Sequence, residues 1–157
     1  RGVDHSDAKA FEWYQKAAEQ GFATAQYMLG FAYETGRSVN QSDAKAVEWY
    51  QKAAEQGLAR AQISLGSSYE EGRGVDQSDG MAFKWYQKAA EQGDSKAQAS
   101  LGRMYATGIG VKKSLSMAVH WFQKAADQGN TSARAELVKA WARKVLEQAK
   151  RKVSKVK

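Results

Sequence analysis

The chain has 157 residues, no Cys, no Pro and a formal net charge of +7. Without Cys there is neither disulfide nor thiol chemistry, and no apolar run approaches the ~20 residues of a spanning helix. The charge is lopsided: residues 139–157 hold eight basic side chains and one acid, Glu147, whereas residues 1–138 hold sixteen of each sign.

The first six residues, Arg1 to Ser6, align with Arg73 to Ser78. They read as the tail of a loop, and the sequence starts without Met. The expectation is a piece of a longer protein with a preceding repeat. A signal peptide is neither indicated nor excluded.

Next comes AFEWYQKAAEQG, from Ala10 to Gly21, which returns from Ala46, Ala82 and Ala118. Trp13, Trp49, Trp85 and Trp121 stand 36 residues apart. Such a period marks a solenoid, whose units bury apolar faces only against their neighbours. The predicted repeats are 7–42, 43–78, 79–114 and 115–150, with a basic tail over 150–157, all in one domain.

Each repeat reads as two helices. Ser6, Ser42, Ser78 and Ser114 are predicted N-caps, because a serine hydroxyl accepts from an otherwise unpaired amide. Gly21, Gly57, Gly93 and Gly129 sit where a left-handed residue closes a helix. At 100° per residue, Ala10, Phe11, Trp13, Tyr14, Ala17 and Ala18 share one face, predicted to be buried. The four Trp are expected to pack between helices. The second helix covers about Thr24 to Thr35 and ends at Gly36, with Gly72 and Gly108 as counterparts. Gly30, Gly66 and Gly102 fall in mid-helix, where Gly costs about 1 kcal/mol against Ala. That repeated cost implies a close approach, expected to be by another backbone. Val39, Val75 and Val111 are expected to plug the following loops onto the core.

The fourth repeat breaks the pattern. Val138 stands for Gly, Trp141 for Tyr and Lys144 for the closing Gly. Leu137, Trp141, Val145 and Ala149 keep helical spacing. They predict a longer capping helix, to about Lys150, with a polar outer face.

Read together, A-x-x-W-Y-x-K-A-A-x-Q-G, A-Q-x-x-L-G-x-x-Y and G-x-G-V resemble the Sel1-like repeat, a relative of the tetratricopeptide repeat. The likeness runs from Asp7 to about Leu137. One departure is that Asp4, Asn40, Asp76 and Lys112 stand where the family often has Pro. Another is the lack of the Cys pairs that staple some members. The resemblance implies an all-α fold: an α/α superhelical solenoid of 36-residue helix-turn-helix repeats with a longer C-terminal capping helix. It implies a non-enzymatic bacterial adaptor that holds a protein or peptide partner in a groove, in the periplasm or secreted. Some members resemble toxin-neutralising immunity proteins, and a few were described as β-lactam-binding or β-lactamase proteins. A β-lactam-binding hydrolase is therefore the alternative from another class.

The residues give that alternative little. Ser6-Asp7-Ala8-Lys9 and Ser42-Asp43-Ala44-Lys45 match S-x-x-K, but S-D-N and K-T-G partner motifs are missing. Capping explains both serines. His5 and His120 are the only histidines, with no carboxylates at ligand spacing, so neither metal nor cofactor is expected. Gly108-Ile109-Gly110 is a loop, not a phosphate cradle.

A specific site should lie where repeats differ on polar faces. If first helices line the concave surface, as in related repeats, Glu12, Glu48, Lys84 and His120 form a stripe there. Lys9, Lys45, Met81 and Met117 lie beside it, and Lys16, Lys52, Lys88 and Lys124 repeat along its edge. These twelve are the candidate partner-binding residues. Tyr27 and Phe31 are expected to point away from the core, either to cover a preceding repeat or to form a secondary partner patch. The basic tail is a less favoured route to nucleic acid or anionic membrane.

Overall fold

The computed structural model describes residues 5–154, with side chains from Lys9 onward. They form eight α-helices and, among the described residues, no strand. In order these are α1 (His5–Glu19), α2 (Ala23–Thr35), α3 (Asp43–Glu55), α4 (Ala59–Glu71), α5 (Asp79–Glu91), α6 (Ser95–Thr107), α7 (Leu115–Asp127) and α8 (Thr131–Ser154). Helix follows helix through short, repeated connections, which makes the fold an α/α solenoid. Packing divides it into two compact units, Arg1–Ala89 and Ala90–Lys157, with the boundary inside α5.

Glycine and serine place the helix ends as the sequence predicts. Gly57 adopts φ 90°, its amide donates to the Ala54 carbonyl at 3.0 Å, and the Leu58 amide reaches Ala53 O at 3.2 Å. These are the two bonds of a Schellman motif. At the other end the Lys45 amide donates to Ser42 Oγ at 3.4 Å, and the Met117 amide to Ser114 Oγ at 3.3 Å. The backbone of each capping serine is tied as well: Ser42, Ser78 and Ser114 amides donate to Tyr33, Tyr69 and Tyr105 carbonyls, each at 2.9 Å. Ser6 differs, since α1 already begins at His5. No described helix precedes α1 to supply the tying carbonyl.

In the first unit, α2 lies between α1 and α3. Ala18, Ala25 and Leu29 form one cluster, onto which Trp49 packs. Ala46, Val47, Tyr50, Ala53, Ala54, Ala61, Leu65 and Trp85 form the next, with Tyr27 and Val75 against it. So the Trp of α3 and of α5 leans on the alanines of the preceding pair. In the second unit, Phe122 and Ala118 of α7 meet Ala133 and Ala140 of α8.

The mid-helix glycines make room for rings rather than for backbone. A Cβ on Gly30 would lie 2.7 Å from Tyr50 Cδ1, one on Gly66 2.8 Å from Tyr86 Cε1, and one on Gly102 2.5 Å from Phe122 Cδ1. Ala46 O, at 3.1 Å from the Gly30 position, is the nearest backbone atom there. Each ring seats its edge against the bare helix backbone. Burying Tyr50 this way withdraws ~150–250 Å² from water, worth several kcal/mol as an upper bound.

The ends depart from the predicted burial. Trp13 is 72% exposed and Tyr14 is at the surface, because no described helix lies on that side of α1. The capping helix reaches Ser154, past the expected Lys150, and its outer face is apolar rather than polar. Trp141 is 60% and Val138 66% exposed, with Val145 also at the surface.

Candidate functional site

The spacing of the first helix sets the geometry of the site. In α3, Lys45, Glu48, Trp49 and Lys52 occupy positions i, i+3, i+4 and i+7, one helical face. The same positions hold Lys9, Glu12, Trp13 and Lys16 in α1, Met81, Lys84, Trp85 and Lys88 in α5, and Met117, His120, Trp121 and Lys124 in α7. Eleven of the twelve predicted residues are exposed; Met81 is half-buried and packs on the cluster around Tyr50.

The structure adds to each stripe the Trp at its floor. Lys52 Nζ lies 4.1 Å from the centre of the Trp49 ring, Lys88 4.4 Å from Trp85, Lys124 4.9 Å from Trp121 and Lys16 5.7 Å from Trp13. An ammonium over an indole face is held by the ring quadrupole. His120 meets Trp121 edge-on, with ring centres 5.3 Å apart. The Nε1 atoms of Trp85 and Trp121 are buried and have no hydrogen-bond partner. Sequence reasoning assigned these Trp to packing and left them out of the site. The signal that could have found them is Lys three residues after Trp in all four copies.

The secondary patch comes apart. Tyr27 turns inward, its ring 5.6 Å from that of Tyr50, and packs on the core of the first unit. Its position on α2 faces α3, the face helical projection had placed outside. Phe31 is exposed and lines a cavity of 160 Å³ with Phe11, Tyr14 and Met28.

The serines of the S-x-x-K matches behave as caps where described. Ser42 Oγ accepts from an amide, and Lys45 Nζ lies 5.2 Å over the Tyr33 ring. Among the described residues no group of three or more His, Cys, Asp or Glu side chains could hold a metal ion. No helix there is long and apolar enough to cross a membrane.

Second helices carry the groups that register one repeat on the next. Gln26 donates to Ala18 O at 3.2 Å and accepts from Gln56 at 2.7 Å. Gln98 repeats this with Ala90 O and Gln128, at 3.2 and 2.8 Å. Tyr50 Oη donates to Glu34 at 2.6 Å, and Tyr86 Oη to Glu70 at 2.9 Å. Burial, with the Glu34 carboxylate beside it, pushes the Tyr50 phenol well above the ordinary tyrosine range. In the second unit both members change together, to Phe122 and Ala106.

The Sel1 repeat pattern matches residues 1–22, 23–58, 59–94 and 95–130. The chain belongs to the Sel1 repeat family. Solved structures of similar proteins agree. A protective antigen present in uropathogenic Escherichia coli strains, with an SLR fold, is 41% identical with a TM-score of 0.81, over 83% of this chain and 28% of that one. A Sel1 repeat protein from Oxalobacter formigenes is 42% identical with a TM-score of 0.81, over 87% of this chain and 54% of that one. Helicobacter pylori cysteine rich protein B is 27% identical with a TM-score of 0.68, over 87% of this chain and 98% of that one. The chain thus spans about a quarter of the first relative and about half of the second. A comparison with curated proteins returns no match.

Proposed function

We propose that this Sel1 chain is a non-enzymatic adaptor that holds acidic segments of a protein or peptide partner on its first-helix stripes, those of α1, α3 and α5 in the first unit and that of α7 in the second. The observation that carries this reading is the lysine laid on tryptophan in every copy. A packing role alone needs no charged group at that place. Counting the exposed charged residues of the stripe, each of the four helices has a net positive charge, from Lys9, Glu12 and Lys16 in α1 to Lys124 in α7. A carboxylate arriving there meets an ammonium. The differences among Glu48, Lys84 and His120 then give each repeat its own preference. Relatives from bacteria, one of them a protective antigen, favour an envelope or secreted setting.

The test is capture from bacterial extract by the intact chain, by Lys52→Ser/Lys88→Ser/Lys124→Ser, and by Glu12→Ala/Glu48→Ala/Lys84→Ala/His120→Ala. Circular dichroism checks that both variants stay helical. A partner held by the intact chain and lost by the lysine variant supports the reading. Equal capture by all three refutes it.

A further inference from the structure

The outer face of α8 calls for a partner of its own. This helix has 24 residues, against 13 in α2, α4 and α6. Its inner side is settled: Ala133 and Ala140 are buried, and Leu137 packs with them against α7. Opposite and beside that, Val138, Trp141, Val145, Leu146 and Val153 are all exposed. On a helical projection they fall, with Ala142 and Ala149, within an arc of about 140°. Lys139, Arg143 and Lys150 border this arc on one side, with Lys139 paired to Glu136 at 2.7 Å; Lys152 falls inside the arc, between Trp141 and Val145, and Arg151 lies on the far side of the helix.

A further Sel1 repeat does not fit this face. Of the three registering groups, α2 and α4 carry all and α6 keeps two, Gln98 and Gly102, whereas α8 has lost all of them. Val138 fills the notch of Gly30, Gly66 and Gly102, where a bare Cβ already crowds the next ring. Arg134 stands in the line of Gln26, Gln62 and Gln98. Ala142 takes the place of the carboxylates Glu34 and Glu70. The face stayed apolar while it lost the means of stacking.

We infer that α8 lies on an anionic lipid surface, with Val138, Trp141, Val145, Leu146 and Val153 in the headgroup boundary and its lysines and arginines on lipid phosphates. The charge distribution selects this occupant. The one acid among residues 139–157, Glu147, projects to the side away from the apolar arc and sits 3.7 Å from Lys113 of the α6–α7 loop. Lys139, Arg143 and Lys150 instead flank the arc and Lys152 lies within its edge near Trp141, where long side chains reach up to headgroups while their stems cover apolar surface. Trp141, near one edge of the arc, suits the boundary between water and acyl chain. The helix would lie in the plane of the membrane, since it is not apolar enough to cross.

The experiment is vesicle flotation of the 157-residue chain, with phosphatidylcholine alone and with one-third phosphatidylglycerol. Binding to the anionic vesicles is expected to exceed binding to the neutral ones by about tenfold and to weaken as salt rises. Val145→Asn/Leu146→Asn, at exposed sites and checked for helicity, is expected to lose about tenfold. Arg143→Glu/Lys150→Glu is expected to lose the preference for phosphatidylglycerol. The fluorescence difference between the chain and Trp141→Phe should shift to the blue on binding. Absence of binding to anionic vesicles would overturn the inference. So would full binding by the asparagine variant, which would mean charge without docking. Self-association through this face without vesicle binding would overturn it in favour of a second copy.

Discussion

Gly66→Ala tests the central packing claim, because two effects of opposite sign meet there. On an exposed helix the change would stabilise by about 1 kcal/mol. Here the new Cβ lies 2.8 and 2.9 Å from Tyr86 Cε1 and Cδ1, and 3.2 Å from Cζ. Ordinary carbon contacts need ~3.5–4.0 Å, so ring or helix must yield by about 1 Å. Overpacking of that kind costs about 1–3 kcal/mol. A shifted ring also strains the 2.9 Å bond from Tyr86 Oη to Glu70, worth about 1.5 kcal/mol. The net expectation is a loss of about 2 kcal/mol. Urea unfolding followed by circular dichroism reads it, with Gly80→Ala as the matched control. A Cβ on Gly80 would meet nothing within 4 Å, and its counterpart in α3 is Ala44, so that change should gain up to about 1 kcal/mol. Equal stabilisation by both alanines would refute the argument that the ring, and not the helix, requires Gly66.

Other junction groups give further tests by the same assay. Tyr50→Phe should cost about 1 kcal/mol at neutral pH, moderated because Arg73, 3.4 Å from Glu34, still pairs with that carboxylate. The folded phenol titrates above the unfolded value of about 10, so its stabilising effect is complete below that pH and fades as pH climbs past it. The variant should therefore lose less stability than the parent between neutral and strongly alkaline pH; identical alkaline profiles would count against the Tyr50–Glu34 bond. Asp94→Ala removes the acceptor of the Lys96 and Ala97 amides, at 2.8 and 3.0 Å, and should cost about 1 kcal/mol in thermal melts. Phe22→Asp should act the other way, gaining about 0.5–1 kcal/mol, because α2 starts at an exposed Phe22 with no side-chain cap. Gln98→Ala removes the bonds to Ala90 O and from Gln128, but these two keep the Gly93 amide and the Gly93 carbonyl as partners, so it should cost about 1 kcal/mol, whereas no loss would mean that these bonds do not register the repeats.

Helix ends were legible because their causes are local. A glycine at C′ or a serine at the N-cap acts within one turn, and Gly57 and Ser42 do what their positions predict. The large-small interlock was legible too, though not its partner: periodicity announced that something approaches Gly30 without saying that it is the ring of Tyr50. Burial at the ends was not legible. A repeat pattern reports the surroundings of an average copy, and Trp13 and Trp141 each have a neighbour on one side only among the described helices. Eight of the twelve stripe positions came from looking for differences between copies, and the unvarying Lys16, Lys52, Lys88 and Lys124 joined them as the edge of the stripe. The tryptophans read as packing residues from their repetition, and Trp49 and Trp85 do pack on the core; that lysines lie over them is a contact between side chains that a comparison of copies does not show.

The pairing of Tyr with Glu, or of Phe with Ala, bears on how such a chain can grow. Glu34 and Tyr50 sit in different helix pairs, yet both fall inside the segment 23–58 matched as one repeat, as does Gly30. A duplication cut at Ala23 and Ala59 copies a complete joint: notch, ring, phenol and acceptor together. A cut in the loop at Ser42 would part the ring from its notch, and could set a phenol against Ala106, where no carboxylate waits. The inheritable unit of this protein is the joint, and a helix pair is what lies between two of them.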